Sequence, residues 1–304
     1  MAGERERLHH EPHLSEGEAQ AIEDRLMLRP VAVYEVVRQE GEEELARPAS
    51  SLWWSGIAAG ISIGFSLVAE GVLHGMLPDA PWRHLVESWG YTVGFLIVIL
   101  GRQQLFTEST LTAVLPALAD PSRAHATGLA RVWGIVLAAN MVGTAVFAAG
   151  LAWGRFVPAE FDAGILAVAR HLMEAGSADF FFRAIVSGWL IATVVWLIPS
   201  SESAAFFVIA AITYLIALLG VTHVVAGAVD VFYLVFLGEI SAGHALFGFF
   251  LPTLLGNIVG GSALFALVAY AQVREEMATE PRAGPKHCPS EHRPSAGDER
   301  EHVE

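Results

Sequence analysis

Long apolar runs separated by short polar stretches fill the middle of the chain. A helix needs about 20 apolar residues to cross the hydrocarbon core of a membrane, and several runs without a charged side chain reach this length. Two apolar regions are longer than one crossing requires, and each is divided by a polar or glycine-rich stretch. The hydrophobic pattern predicts six membrane-spanning segments, which cover residues 51–76, 85–119, 123–152, 180–199, 204–237 and 244–272.

The second and fifth predicted spans are interrupted at corresponding places in two halves of three spans. The second contains the polar stretch 102–108, and the fifth contains Thr222 and His223 between Gly220 and Gly227. A helix that breaks inside a membrane leaves backbone N–H and C=O groups that only protein or a water-filled cavity can satisfy. Interruptions in matching spans are typical of inverted-repeat transport proteins and indicate where the binding site lies.

The third span of each half carries the same four-residue pattern, Asn-x-Val-Gly. The pattern begins at Asn140 in the first half and at Asn257 in the second. A match at equivalent places in the two halves indicates an internal duplication. The sequence therefore predicts an all-α membrane protein with six transmembrane helices in two inverted three-helix repeats, of which spans two and five are interrupted.

Charged residues are concentrated at the two ends of the chain. They make up 16% of the 304 residues, with a formal charge of -14 and a mean hydropathy of +0.48, whereas a soluble domain carries about 25% charged residues. This composition argues against a water-soluble globular domain, and the lack of a basic cluster excludes a nucleic-acid-binding surface. The single cysteine, Cys288, excludes an intramolecular disulfide and a thiolate metal site.

The charge distribution also predicts three regions. Residues 1–47 are expected to form a polar cytoplasmic segment with an amphipathic helix, 48–273 the channel domain and 274–304 a disordered cytoplasmic tail. Arginine is concentrated in the two tails and in the loop between the second and third spans, which predicts that both termini are cytoplasmic. The apolar face expected of the first helix consists of Ile22, Leu26, Val33, Val36 and Val37.

Three side chains near the interruptions could carry the chemistry. Thr107 can cap the half-helix that follows it, and it either does only this or also offers its hydroxyl group to the lumen. His223 lies at mid-membrane depth, and imidazole is the side chain best suited to exchange a proton near neutral pH. Asp230 follows His223 by two helical turns on nearly the same face, so it either lines the lumen or marks the mouth of the pore. Other titratable groups near the spans are expected at the membrane interface, and they are Glu70, His74, His84, His171, Asp179, Arg183, Glu239 and His244.

Taken together, these residues resemble the formate/nitrite transporter family. The resemblance rests on Leu105-Phe106-Thr107 after a glycine-ended apolar span, on His223 and on the two Asn-x-Val-Gly motifs, and it covers residues 30–272. It is greatest for a branch of bacterial inner-membrane proteins with long polar tails. The resemblance implies an aquaporin-like fold and a homopentamer with one pore in each protomer, which passes small monovalent anions such as formate or nitrite.

The resemblance also implies roles for individual residues. Thr107 looks like the loop threonine of the family and His223 like its central pore histidine, which would give a proton to the anion so that it crosses as a neutral acid. The family has apolar constrictions on both sides of this histidine, and such constrictions restrict passage by dewetting. The positions that match the pore lining are Tyr91, Phe95, Leu105, Phe106 and Ile216.

Several positions differ from the family pattern, and among them the missing lysine and asparagine reduce the attraction and the hydrogen bonds expected for an anion. The acid that usually precedes the histidine is Thr222 here, and the acid that usually precedes Leu105 is Gln104. The lysine near the start of the fourth span is replaced by Leu172, and an asparagine later in that span is replaced by Gly188. The resemblance therefore says more about the fold than about the substrate.

Two other functions remain compatible with the sequence. An aquaporin-like channel for a neutral solute would share the fold, although the paired Asn-Pro-Ala motifs expected of it are absent. A membrane scaffold whose acidic tails bind partners would have only a vestigial pore. The sequence has no metal-ligand cluster, phosphate-binding loop or pattern of nucleophile and base, so no enzyme activity and no cofactor are predicted.

Overall fold

The computed structural model describes Ser15 and residues 28–279 of the chain. The predicted apolar positions Ile22 and Leu26, and most of the expected C-terminal tail, lie outside the described residues. The described part is helical and contains no β-strand. Helices pair their backbone N–H and C=O groups within one segment, which lipid requires of any chain that crosses it.

The described residues form thirteen α-helices. They are α1 (Pro30–Ala46), α2 (Ala49–Met76), α3 (Arg83–Leu100), α4 (Phe106–Ser109), α5 (Val114–Ala119), α6 (Arg123–Trp153), α7 (Asp162–Leu172), α8 (Ser177–Leu197), α9 (Ala205–Leu218), α10 (Val224–Phe236), α11 (Ala242–His244), α12 (Leu251–Ile258) and α13 (Leu267–Thr279). Two π-helical segments, Ala245–Phe250 and Val259–Ala266, join α11, α12 and α13 into one continuous helix.

Four helices of the described part are long and apolar enough to cross a membrane. They are α2, α6, α8 with the turn that follows it to Ser200, and the continuous helix Ala242–Glu276. They match the first, third, fourth and sixth predicted spans. Large apolar side chains cover the outside of the bundle, where Trp54, Phe207 and Phe247 are 68%, 71% and 66% exposed. Exposed apolar surface of this extent requires a partner surface or lipid.

The other two apolar regions are divided helices. Helix α3 ends at Leu100 and helical structure resumes at Phe106, while α9 ends at Leu218 and α10 begins at Val224. Both breaks lie within the second and fifth predicted spans. The first break is shorter than the polar stretch in the sequence, because α4 already begins within that stretch.

The two breaks have the same backbone geometry. The N–H groups of Gln103 and Val221 each donate to a carbonyl oxygen five residues earlier, at 3.0 and 3.1 Å. Each turn needs one residue in the left-handed region, and these residues are Arg102 with a φ of 49° and Gly220 with a φ of 60°. A glycine adopts this conformation without steric cost, whereas a side chain there costs about 1 kcal/mol.

Helix α1 packs against α5, α6 and α13. Val33 and Val37 are buried in this contact, but Val36 is 37% exposed and does not belong to the apolar face that the sequence predicted. Gly41 lies so close to the loop between α4 and α5 that a β-carbon would be 2.1 Å from the carbonyl oxygen of Thr112. Only glycine permits this approach, which brings the carboxyl end of α1 to the first break.

The last helix continues beyond the expected boundary at residue 273, and its described part extends to Thr279. Val273 is fully buried in a cluster with Tyr34 of α1. The rings of Tyr34 and Tyr270 are also in contact, with centroids 6.0 Å apart. Packing against α1 therefore orders residues that the polar composition assigned to the tail.

Candidate functional site

Thr107 and His223 lie side by side where the two breaks meet. The Oγ1 atom of Thr107 is 2.6 Å from Nε2 of His223, although 116 positions separate them in the chain. The two side chains are 0% and 1% exposed. Thr107 stands in the first turn of α4, and His223 directly precedes α10. The fold thus brings together the two polar residues that the sequence singled out in separate halves.

The hydrogen bonds of His223 determine where its proton lies. The backbone N–H of Ala226 donates to Nδ1 at 3.1 Å, so Nδ1 carries no hydrogen. A neutral imidazole has one N–H group, which is then on Nε2 and donates to Thr107 Oγ1. The hydroxyl hydrogen of Thr107 points away from the ring and is available to a guest. A second proton on the ring would break the bond from Ala226, so this arrangement disfavours the proton donation expected of His223.

Asn140 holds the first break in place. Its Oδ1 atom accepts the backbone N–H of Phe106 at 2.9 Å, and its Nδ2 donates to the carbonyl oxygens of Gly56 and Gln104, both at 2.9 Å. The side chain is fully buried. One amide group therefore satisfies backbone groups that the break would otherwise leave unpaired inside the bundle.

Asn257 holds the second break in the same way. Its Oδ1 atom accepts the backbone N–H of Val224 at 2.9 Å, and its Nδ2 donates to the carbonyl oxygens of Ala184 and Thr222 at 2.8 and 3.2 Å. It also donates to Ser187 Oγ at 2.8 Å. The two asparagines of the repeated motif therefore have matching contacts, which the four-residue pattern alone did not reveal.

The apolar residues assigned to the pore lie around Thr107 and His223, and only some of them contact the pair directly. Phe95 contacts the imidazole ring edge-on, with centroids 5.1 Å apart, and Tyr91 is 5.1 Å from Phe95. Leu105, Phe95 and Ile216 are fully buried in the same core cluster. Together they exclude water around the two polar groups.

Phe106 and the two glycines of the second break have other contacts. Phe106 packs against Trp133 of α6, with ring centroids 5.7 Å apart. Gly220 provides the left-handed turn, and a β-carbon at Gly227 would lie 2.4 Å from the ring of Phe249. Phe106 and Gly227 therefore have evident packing roles.

A cavity of about 260 Å³ leads to His223 from the side of the bundle that carries the loop between α6 and α7. We call this cavity the vestibule. Its polar lining includes Glu70 of α2, Tyr91 of α3, Arg183 of α8 and Asp230 of α10. Asp230 is 9% exposed and lies on the same face of α10 as His223.

Four groups that the sequence assigned to the membrane interface line the vestibule. They are Glu70, His84, His171 and Arg183. Position near a span end predicts an interfacial side chain, but α2 and α3 cross so closely here that a β-carbon at Gly90 would be 2.4 Å from the backbone nitrogen of Glu70. The distance of a residue from the end of a span does not reveal such a crossing. The sequence did contain one signal, which is the carboxyl group of Glu70 in an otherwise apolar span.

Glu44 of α1 is a functional candidate that the sequence reasoning missed. It is 6% exposed, and its carboxyl group accepts hydrogen bonds from Gln104, from Ser109 at 2.5 Å and from Thr112 at 2.5 Å. All three donors lie in the chain around Thr107. Burial raises the pKa of the Glu44 carboxyl above its ordinary value, although these hydrogen bonds oppose the shift. Helix α1 therefore anchors the first break through one buried acid.

Within the described residues, no three side chains of His, Cys, Asp or Glu lie close enough to hold a metal ion. The polar groups of the site are instead hydroxyl, imidazole, amide and carboxyl groups around a narrow apolar passage. This arrangement can donate hydrogen bonds to a small guest and can bind a proton.

Comparisons with known proteins agree with this architecture. The formate/nitrite transporter family model matches residues 31–271. The inner membrane protein YfdC of Escherichia coli (strain K12) is 44% identical over 261 residues, which cover 86% of this chain and 84% of that protein. The formate channel FocA of Haemophilus influenzae is 28% identical over 240 residues, which cover 68% of this chain and 81% of that one.

Two solved structures share the fold. A chain described as an FNT family ion channel superimposes with a TM-score of 0.68 at 22% identity, and covers 79% of this chain and 98% of its own. A pentameric formate channel with formate bound gives a TM-score of 0.63 at 20% identity, and covers 75% of this chain and 98% of its own. Nearly the whole length of both structures is therefore matched.

Proposed function

Because the chain belongs to the formate/nitrite transporter family, we propose that it is a membrane channel for small monovalent anions such as formate or nitrite. The observation that carries the proposal is the 2.6 Å contact between Thr107 and His223. It presents hydrogen-bond donors at a buried point where two broken helices meet, and such points are where transport proteins bind their substrates. The Haemophilus influenzae relative is named as a formate channel, and one of the solved structures is a formate channel with formate bound.

The architecture proposed for this channel has six spans in two inverted repeats. The matching bonds of Asn140 and Asn257 and the matching geometry of the two breaks support it. Similarity to a pentameric channel supports a homopentamer with one pore in each protomer. Residues 1–47 and the C-terminal tail are cytoplasmic on this proposal. The vestibule then opens on the side of the inner membrane that faces away from the cytoplasm.

Passage through the centre depends on a donor pair within an apolar constriction. Thr107 offers its hydroxyl hydrogen to an oxygen of the substrate while the Nε2–H of His223 holds the hydroxyl group in place. Phe95, Leu105 and Ile216 exclude water on either side. A bare anion in such surroundings is costly, so the substrate crosses the constriction as the neutral acid or in contact with these donors.

The first test measures formate, nitrite, acetate and glycerol uptake by liposomes that contain the purified full chain. We expect formate and nitrite uptake above that of empty vesicles and no increase for glycerol. Thr107→Val keeps the shape of the side chain and removes the donor, and the loss of one hydrogen bond predicts a rate about tenfold lower. Thr127→Val is the matched control, because Thr127 is exposed on α6 and its variant should transport as the wild type does.

Each alternative has its own signature in this assay. Glycerol uptake without anion uptake would replace the proposal with a neutral-solute channel. Wild-type protein that transports no solute faster than empty vesicles would favour a scaffold with a vestigial pore. Unchanged formate uptake by Thr107→Val would remove the threonine from the pathway.

A further inference from the structure

The vestibule contains two carboxyl groups that the passage described above does not use. Asp230 lies two helical turns beyond His223 on α10, and Ala226 and Gly227 between them also line the cavity. Asp230 and His223 therefore line one continuous cavity. Among the described residues, the Asp230 side chain forms no hydrogen bond or ion pair with another residue, although it is only 9% exposed. A buried carboxyl group that lines a cavity and is bonded by no other residue is free to bind a ligand there.

Glu70 approaches the same cavity from α2. The carboxyl groups of Glu70 and Asp230 line the same cavity, so like-charge repulsion opposes the ionisation of both, and Glu87 of α3 adds to the repulsion on Glu70. Glu87 is itself bonded to His74, with 2.9 Å between Oε2 and Nδ1. The close packing of Gly90 against Glu70 fixes α2 and α3 relative to each other. The packing of the helices therefore holds the two acids on the wall of the same cavity.

The surroundings of the pair do not supply a compensating charge. The titratable and charged groups that face it from the packed helices are His84, Glu87, Tyr91, His171, Arg183 and His223. Arg183 is exposed, and in the described part of the chain it forms no ion pair with Glu70 or Asp230. Two ionised carboxylates in a narrow vestibule would repel an incoming anion, whereas two protonated ones would donate hydrogen bonds to it.

We propose that Glu70 and Asp230 form a proton-binding pair in the vestibule, which gives a proton to an incoming weak-acid anion before the anion reaches His223. This inference rests on the proposed function. It gives the pair the role that the Ala226 bond denies to His223, because Nδ1 of that ring is occupied. The substrate class is that of small weak acids whose anion has a basic oxygen, such as a carboxylate.

The proposed step is a single proton transfer. The O–H bond of the Asp230 carboxyl group breaks and an O–H bond forms on the anion, which leaves as the neutral acid toward Thr107 and His223. Asp230 is then a carboxylate, and it regains a proton from hydronium that enters the vestibule, either directly or through Glu70, which is reprotonated by hydronium in turn. No electrons are transferred, and the only other reactant is the hydronium ion of the solution.

The experiment compares initial rates of formate uptake by liposomes containing the full chain from about pH 5 to about pH 8, after subtraction of uptake by empty vesicles. In the wild type the rate falls as pH rises and the pair ionises. The double variant Glu70→Gln with Asp230→Asn can neither donate a proton nor repel an anion. We expect the ratio of its rates at the low and high ends of the range to be about tenfold smaller than the wild-type ratio.

Two further variants separate proton transfer from a structural role. Asp230→Glu restores a carboxyl group and should recover the slope of the pH profile. Glu160→Gln removes an exposed carboxyl group outside the vestibule and should keep the wild-type profile. The proposal would be overturned if the double variant kept the wild-type dependence of uptake rate on pH. It would also be overturned if the rate of the double variant were reduced equally at every pH. Absence of formate uptake by the wild type itself would instead overturn the proposed function.

Discussion

Replacing Asn257 with leucine is expected to reduce formate uptake about 100-fold and to lower the free energy of unfolding by about 3 kcal/mol. The leucine has a similar volume but cannot accept the N–H of Val224 or donate to Thr222 and Ala184. The backbone group left unpaired lies in an apolar interior, where no water replaces the lost bond. His223 directly precedes Val224, so the imidazole should lose its position opposite Thr107.

The measurements for Asn257→Leu are liposome uptake and the thermal unfolding of the protein in detergent. Thr253→Val is the matched control, because Thr253 is buried on the same helix and its hydroxyl group has no hydrogen-bond partner among the described residues. Its variant should transport normally and be no less stable than the wild type. Asn140→Leu should reproduce the defect through Phe106. A normal rate in either asparagine variant would contradict the role assigned to the pair.

Replacing Glu44 with alanine is expected to release α1 from the bundle. The carboxyl group accepts three hydrogen bonds from the first break, and their loss should weaken the docking of α1 by about 2 kcal/mol. Amide hydrogen exchange within residues 30–46 should then be roughly 30-fold faster. Glu35→Ala is the control, because that side chain forms its ion pair with Arg38 on the same helix and contributes no bond to the break. Equal exchange rates in Glu44→Ala and the wild type would contradict the docking role.

The docking of α1 should also depend on pH, because burial raises the pKa of Glu44 in the folded protein. A carboxyl group with a raised pKa favours the folded state fully below its ordinary pKa, and this contribution is lost as pH rises through the raised value. Amide exchange within α1 should therefore become faster as pH rises from mildly acidic values. The increase should be larger than the one that the intrinsic pH dependence of amide exchange produces. Glu44→Gln cannot ionise and should remove this additional acceleration.

Most of the helix pattern could be predicted from the sequence. Helices in lipid pair their backbone groups within the segment, so charge-free length marks where they run, and the long helices have nearly the predicted bounds. The breaks could also be predicted, because polar residues and glycines interrupt two apolar regions that are too long for one crossing. The expected tail boundary was displaced because Val273 packs against α1, and composition does not encode such a contact.

The candidate site was only partly predictable. Thr107 and His223 could each be selected from their places in a break, but their contact depends on how two distant segments pack together. Glu70 was assigned to the interface from its place near a span end, whereas the crossing of α2 and α3 turns it into the vestibule. Glu44 gave no signal, because its burial follows from the approach that Gly41 allows. These contacts depend on which sides of the helices face each other and on the angles at which the helices cross. The hydrophobic pattern along the sequence contains neither.

The two helices that carry the structural asparagines differ in how they could change length during evolution. Helix α6 is a regular α-helix around Asn140, but π turns lie on both sides of the segment that carries Asn257. A π turn contains one more residue than an α turn, so it absorbs a single insertion without breaking the helix or moving the flanking segments. The second half of the protein is therefore able to lose a single residue on either side of Asn257 while the amide stays in register with the break, because a π turn then becomes an α turn. Helix α6 contains no π turn, so a deletion there would rotate Asn140 away from Phe106.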